Sequence, residues 1–418
     1  MSLALQKYNR YDRLLFFLIL SMALGDYGGY LTAPRILAII LFPAFISKVR
    51  YCRVYMKKYF TFFVLFYIFC AISLLWTPDL EEGVKEMAYY LLHIVLFCEI
   101  LVFSRFANRP LNTISWGWVF AVGATLLVAI WELTTGNHLA LSFYQEKDIV
   151  GYIGGARVEV PFAAATFYNY NGYIVFLCYA LPFLFYSLRR NKDSFKYVVF
   201  IFILLLIAVG VMLVNASRGG LLALLVMIVV LLFTTKRSTL KSIIFISGAL
   251  IVVFWLLPKM DTLFVLLSSK TEDVGSYSDE PRLLIWSTAL KVAANYLFMG
   301  TGIGGMLTAM KDYAPNVLPL THNIYLEFFL QYGFVFWGWV LVYMVRLLMK
   351  GYYSKNGNIK ILLYTAMIAM PAYGIIDSAY LLSPSLYIFL ACLSSFAYIE
   401  SFNSKGCGGG LMMRNIQK

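Results

Sequence analysis

Long apolar blocks recur along the chain and alternate with short polar or basic segments. A helix that crosses a lipid bilayer needs about 20 mostly apolar residues, and most of the blocks approach that length. The pattern therefore predicts an all-α integral membrane protein with about 12 transmembrane helices in a single membrane domain, residues 1–418. The predicted spans are residues 13–31, 33–47, 59–76, 84–104, 114–133, 170–188, 196–214, 219–235, 241–257, 323–347, 359–376 and 385–402.

Two of the connections between the spans are long, at about residues 134–169 and 258–322. The second contains apolar residues at helical spacing within 281–297, and Pro281 suits the first turn of a helix. We therefore predict an amphipathic helix in this connection. Residues 14–24 are as apolar as a signal-peptide core, but no clean small-residue cleavage site follows them, so we interpret them as part of the first span.

The positions of the basic residues orient these spans. The chain has 34 Lys and Arg residues against 21 Asp and Glu, a net charge of +13. With the predicted spans, 24 of the 34 basic residues fall on the side of the N-terminus. Because cytoplasmic segments carry an excess of Lys and Arg, both termini are expected in the cytoplasm and both long connections outside it. The same clustering between apolar blocks argues against a nucleic-acid partner.

Composition supports the membrane interpretation and narrows the chemistry. Hydrophobic residues make up 61% of the chain and charged residues only 13%, whereas soluble domains carry about 25% charged residues. None of the six cysteines lies in a predicted external connection, and no zinc-type spacing is present. We therefore expect no disulfide, no metal and no cofactor. The sequence GTGIGG at 300–305 follows no strand, which excludes a dinucleotide-binding turn.

Ten basic residues lie on the external side or at the outer ends of spans, against the charge bias. Arg218 is the most informative, because it lies in a tight turn between two spans and is followed by Gly219 and Gly220. Glycines permit close backbone approach, the start of a helix favours an anion, and a guanidinium matches phosphate oxygens. We interpret Arg218 as part of a phosphate site at the outer boundary. A guanidinium that extends to the interface without binding a ligand is the alternative.

Three further external basic residues and one histidine are candidates. Arg157 lies in the first long connection, and Arg282 begins the amphipathic stretch of the second, with Lys291 further along it. His322 lies where the second connection enters a span, and histidine can accept a proton near neutral pH. A structural or merely exposed histidine is the alternative for His322.

Several segments together resemble the bacterial O-antigen polymerase and O-antigen ligase superfamily. SRGGLL at 217–222 resembles the arginine turn of the family. RLLIW at 282–286, followed by GTGIGG, is similar to its arginine-led loop helix and glycine turn. HNIYLE at 322–327, with Gly333 after ten intervening residues, resembles its histidine and glycine signature. FYNYNG at 167–172 is similar to the asparagine-rich entry to a span. The resemblance covers roughly residues 150–340 together with the span layout.

The resemblance implies a GT-C-like, metal-independent glycosyltransferase that moves a glycan from undecaprenyl diphosphate to an acceptor sugar hydroxyl. By the family pattern, Arg218, Arg282 and Arg157 hold the diphosphate, although Arg157 matches its motif only loosely. His322 is the expected base or acceptor-orienting group. Asn323 and Tyr325 are expected to line the site.

Three activities remain open at this point. A polymerase would join repeat units of a surface polysaccharide such as O-antigen or capsule, with a chain-length regulator as an optional partner. A ligase would transfer finished polysaccharide to lipid A–core. A polysaccharide flippase would transport rather than transfer, although the chain lacks the internal repeats typical of transporters. The resemblance favours the polymerase and places it in the bacterial cytoplasmic (inner) membrane, with the active site on the periplasmic or external face.

Overall fold

Helices form nearly all of the described secondary structure. The computed structural model describes residues 8–141, 150–153, 156–159, 162–215, 217–234 and 279–404. The helices are α1 (Arg10–Leu20), α2 (Ala33–Val49), α3 (Arg53–Ser73), α4 (Leu80–Phe106), α5 (Pro110–Thr135), α6 (Tyr170–Arg190), α7 (Phe195–Val214), α8 (Arg218–Thr234), α9 (Asp279–Asn295), α10 (Met306–Tyr313), α11 (Ile324–Tyr352), α12 (Gly357–Tyr373) and α13 (Pro384–Ser404). Two short strands, β1 (Val150–Ile153) and β2 (Ala156–Glu159), pair antiparallel within the first long connection.

The helical membrane architecture expected from the sequence is confirmed. Within the described ranges, six helices are long and apolar enough to cross a bilayer: Met56–Ser73 of α3, α4, α5, α6, α7 and α11. The helix α8 and the Pro384–Ile399 part of α13 are shorter but apolar. The chain is therefore a multi-pass membrane protein. The predicted span at 241–257 lies outside the described residues, and the total of about 12 spans stays a prediction.

The first predicted span is not one continuous helix. The helix α1 ends at Leu20 and continues as a short 3-10 turn, Ser21–Leu24. Gly25 then adopts φ +53°, and the backbone of Thr166 packs against the position where a side chain would begin. The N–H of Asp26 donates to the carbonyl of Thr166 at 3.0 Å. The chain turns here because Gly25 and Asp26 hold a segment that is distant in sequence.

The helix α6 lies at the centre of the bundle. In its apolar window 83% of the residues are buried, against 28% in α3 and in α11. Aromatic rings fill the centre: Trp118 stacks on Phe183 with centroids 4.9 Å apart, and Tyr179 stacks on Phe389 at 4.5 Å. Lipid tails are as apolar as these side chains, so close packing stabilises such a bundle more than removal from water does. The outer faces of α3 and α11 consequently remain available to lipid.

The helix α11 is broken at Gly333, which adopts φ +72° and ψ −178°. The break leaves backbone groups of α11 without helical partners, and the segment 298–302 supplies them. Thr301 N–H donates to Leu330 O at 2.8 Å, and Phe334 N–H donates to Phe298 O at 3.1 Å. Irregular backbone at membrane depth is tolerated only where such groups are satisfied within the protein. The segment 298–302 therefore completes α11.

The same segment and the adjoining Ile303 are tied on their other side to the end of α3. Trp76 Nε1 donates to Gly300 O at 3.0 Å, and Ile303 N–H donates to Ser73 Oγ at 3.0 Å. The glycine sequence at 300–305, which does not follow a strand, thus packs between two parts of the membrane domain. Its glycines are required because neighbouring backbone occupies the space of a Cβ atom.

We expect Gly333→Ala to destabilise the protein by at least about 1–2 kcal/mol, because a left-handed backbone penalises an L side chain and the new Cβ atom would lie 2.5 Å from Met299 O. Gly338→Ala is the matched control: a Cβ atom added there would have no other atom within 4 Å, and alanine favours a helix. Thermal unfolding in detergent measures both. A Gly333→Ala melting temperature equal to that of Gly338→Ala would contradict the role of the break.

Candidate functional site

The segment that follows α12 forms the base of the candidate site. The hydroxyl of Tyr380 donates to Tyr373 O at 2.7 Å and accepts from the N–H groups of Ile376 at 3.0 Å and Asp377 at 2.9 Å. One side chain thus holds three backbone groups and fixes the path of the chain. This path of the chain fixes the position of the Ile375 carbonyl oxygen.

A carboxylate from α11 supports the same turn. Glu327 is buried, and its two oxygens accept from the N–H groups of Ala379 at 2.7 Å and Tyr380 at 3.1 Å. At the start of α11, Ile324 N–H donates to Gly374 O at 2.8 Å. The entry to α11 and the exit from α12 are therefore one rigid unit.

Arg282 at the start of α9 reaches this unit. Its Nη1 donates to Ile375 O at 3.3 Å. One turn later, Trp286 Nε1 donates to Thr321 O at 2.8 Å, which ties α9 to the residue before His322. A helix is present at Asp279–Asn295, where the sequence predicted one at 281–297, and the charge of its Arg282 reaches the predicted histidine.

His322 is half-buried and strained. Its φ is +47°, a left-handed value that is uncommon for a residue with a side chain. Within the described residues, its Nδ1 has no hydrogen-bond partner. Burial, together with the positive charge of Arg282, lowers the pKa of His322 from 6.5 to about 4. The imidazole is therefore neutral at physiological pH and has a nitrogen lone pair available for a proton.

Arg218 lies at the N-terminus of α8, and this helix packs along α12. The side-chain oxygen of Ser217 accepts from Gly220 N–H at 3.3 Å and caps the helix. A Cβ atom on Gly219 would lie 2.7 Å from Ile376 Cγ1, so glycine is needed for this approach. The side chain of Arg218 is exposed. The Arg218 turn and Arg282 therefore contact the same segment at the end of α12.

Of the other residues predicted for the site, Asn323 and Tyr325 lie at the start of α11, whereas Arg157 lies in the first long connection. Asn323 caps α11, since its Oδ1 accepts from the N–H groups of Tyr325 at 3.0 Å and Leu326 at 3.3 Å. Tyr325 lies against Gly374, beside the same rigid unit. Arg157 lies in β2 opposite Tyr152 of β1. Its place in a phosphate site stays a prediction from the sequence.

Asp377 adds a carboxyl group to this surface. Its side chain hydrogen bonds with that of Asn169, and burial raises the pKa of Asp377 to about 6. A Cβ atom on Gly172 would lie 3.2 Å from Asp377 Oδ2. The start of α6, predicted as an asparagine-rich entry, thus reaches the site through Asn169.

Sequence reasoning missed the residues that hold the segment 162–169. Asn215, at the end of α7, bonds both backbone groups of Ala163 at 2.8 Å. Glu132 accepts from the N–H groups of Ala164 at 3.0 Å and Ala165 at 2.7 Å. The Nδ1 atom of His138 lies 3.2 Å from Glu132 Oε1. The only signal in the sequence was the polar character of these residues at the ends of apolar blocks.

The arrangement combines a half-buried imidazole, two guanidinium groups and a carboxyl group at the starts of α6, α8 and α11 and the end of α12. Within the described ranges, no group of three or more His, Cys, Asp or Glu residues is arranged to hold a metal ion. The site can neutralise an anion with its arginines and accept a proton at its histidine.

We expect the imidazole of His322 to titrate near pH 4 rather than 6.5, because both burial and a neighbouring cation penalise its charged form. Proton NMR of protein labelled with ¹³C at its three histidines measures the midpoint, and His322→Gln assigns the resonance. In Arg282→Gln the midpoint should rise, since one of the two causes is removed. A midpoint near 6.5 in the unmodified protein would contradict the described surroundings of His322.

Comparison with known proteins agrees with the geometry. Residues 203–343 match the family model described as O-Antigen ligase, and this range includes Arg218, Arg282 and His322. The chain is also similar to the teichuronic acid biosynthesis protein TuaE of Bacillus subtilis (strain 168), with 24% identity over 325 residues. The alignment covers 74% of this chain and 64% of that relative, so the chain spans less than two thirds of the relative's length.

Proposed function

We propose that this chain belongs to the O-antigen ligase and polymerase superfamily, and that it transfers a glycan from undecaprenyl diphosphate to a hydroxyl of an acceptor sugar. One observation carries the proposal: the Arg218 turn and Arg282 both contact residues 372–376, and the charge of Arg282 reaches His322. These contacts would hold the proposed anion-binding group and the proposed proton acceptor close to one another.

The arginines would bind the leaving diphosphate. In the reaction the acceptor oxygen forms a bond to the anomeric carbon, and the bond from that carbon to the diphosphate oxygen breaks. Negative charge grows on the diphosphate, and preorganised cations stabilise it. Arg282 is already held by Ile375 O, so less conformational freedom is lost when it binds phosphate. The exposed Arg218 lies at the start of α8, where the positive end of the helix dipole also favours an anion.

His322 would accept the proton of the acceptor hydroxyl. In the unloaded site its pKa of about 4 makes it a weak base. A bound diphosphate would offset the charge of Arg282, which is one of the two causes of the low value, and would raise the pKa. His322 would therefore become a better base when the donor is present.

The polymerase is the activity we favour over the ligase. The relative TuaE carries a name that places that protein in teichuronic acid biosynthesis. Formation of a polymer from repeat units agrees with such a role, and the proposed site serves both reactions because only the acceptor differs. We therefore propose that the acceptor is a second lipid-linked repeat unit in the same membrane.

Arg282→Ala and Arg218→Ala should each lower transfer by roughly 100-fold or more, since each removes a charge that stabilises the leaving group. Arg218→Lys should also be impaired, because an ammonium cannot form the paired contacts of a guanidinium. The assay is glycan transfer by purified protein in nanodiscs with a defined lipid-linked repeat unit. Lys291→Ala, an exposed basic residue on α9, is the control and should keep full activity. Full activity of Arg282→Ala would refute the diphosphate role.

His322→Ala should lower the turnover number by roughly 100-fold while it changes the affinity for the donor little, as expected for a general base. Steady-state kinetics and binding of the unreactive donor separate the two effects. An effect on donor affinity alone would assign His322 to binding instead. The same assay with lipid A–core as acceptor tests the second activity, and product formed only with lipid A–core would favour the ligase.

A further inference from the structure

The helix α9 has three faces, of which only one packs against the described part of the protein. Its inner residues Ile285, Ala289 and Val292 pack with Met310 of α10 and Leu330 of α11. The side chains on the rest of the helix divide into two strips. This division is more specific than the amphipathic pattern of the sequence, because one of the outer strips is also apolar.

The outer apolar strip consists of Leu283, Leu290 and Ala294, which fall within about 40° of one another around the helix axis. Leu283 is 63% exposed and Leu290 is 49% exposed. Beside it lies a polar strip of exposed residues, Ser287, Lys291 and Asn295. Leu284 is the one large apolar residue on the polar side.

Both ends of α9 are attached at the outer ends of membrane helices. At its start, Arg282 donates to Ile375 O, two residues beyond the end of α12. Beyond its end, Trp76, three residues past the end of α3, donates to Gly300 O. A helix of 17 residues is about 25 Å long. Since its two attachments lie at the same boundary of the membrane, α9 extends along the membrane plane.

The apolar surface of α9 continues onto a spanning helix. Leu297, Phe298 and Met299 are exposed directly after α9, and Phe298 O accepts from the N–H of Phe334. Phe334 and Val335 of α11 are themselves exposed. Because α11 crosses the bilayer, its outward face meets lipid, and the exposed strip of α9 extends that face at the outer boundary.

We propose that α9 is an interfacial helix seated in the external leaflet of the bilayer. The strip of Leu283, Leu290 and Ala294 contacts acyl chains, and Ser287, Lys291 and Asn295 face the headgroups, where Lys291 meets lipid phosphate. The partner is therefore phospholipid. The inference goes beyond the proposed function: it concerns a lipid surface, and its test does not depend on transfer.

The test is the position of single fluorescent labels on α9 in nanodiscs. The five cysteines of the described residues are buried, so Cys407→Ser leaves a background in which Leu283→Cys, Leu290→Cys, Ser287→Cys and Asn295→Cys can be labelled with a nitrobenzoxadiazole maleimide. These positions are exposed, so the labels do not disturb the packed face. Quenching by iodide reports water, and quenching by a nitroxide near the top of a phospholipid acyl chain reports lipid.

We expect nitroxide quenching about twofold or more stronger at positions 283 and 290 than at 287 and 295, with the opposite order for iodide. Strong iodide quenching at all four positions would overturn the proposal, since α9 would then lie in water. Protection of 283 and 290 from both quenchers would overturn it in favour of a protein partner, such as a second copy. Equal nitroxide quenching at all four positions would overturn the assignment of the two strips. Glycan transfer by the same labelled proteins is measured separately. The position of α9 and the proposed transferase activity are therefore tested independently.

Discussion

The break in α11 is the constraint on which the half of the molecule that holds the candidate site depends. A helix interrupted at Gly333 leaves carbonyl and N–H groups that a bilayer cannot satisfy. The segment 298–302 satisfies them with its own backbone groups. This is possible only if the segment and α11 approach each other without intervening side chains. Because this segment directly follows α9, the break determines where α9 ends. It thereby restricts the position of Arg282 at the other end of the same helix.

A second constraint positions the irregular segments around the candidate site. The carboxylates of Glu327, Glu132 and Asp26 accept backbone N–H groups, and their role in the structure is to hold irregular segments in place. His322 differs from them, because its Nδ1 has no partner in the described part of the chain and its backbone is strained. Strain and an unused polar atom persist only where the surroundings enforce them, and they cluster at functional sites. We therefore propose that the histidine, rather than these three carboxylates, is the group available for proton transfer.

Much of this fold follows from local rules, and the exceptions share one physical cause. Apolar period and length predicted the helices α3 to α8, and the spacing within 281–297 predicted α9. The interruption after Leu20 was not predicted, because the partner of Gly25 and Asp26 is Thr166, more than a hundred residues away. The glycine turn could be excluded as a nucleotide motif from its context. Its packing role could not be deduced, because that role requires the break in α11.

In the candidate site, too, local sequence rules predicted some features and only the three-dimensional structure revealed the others. Charge bias identified Arg218 and Arg282 as basic residues on the disfavoured side, and this argument needs no three-dimensional information. It could not show that Gly219, beside Arg218, and Arg282 both contact the end of α12, nor that Ile375 offers a carbonyl to Arg282. A guanidinium anchored at one donor keeps its orientation while it meets an anion, whereas one held only by solvent must lose that freedom on binding. The anchoring carbonyl, which has no signature in the sequence, therefore distinguishes an arginine that can hold a leaving diphosphate from one that only extends to the interface.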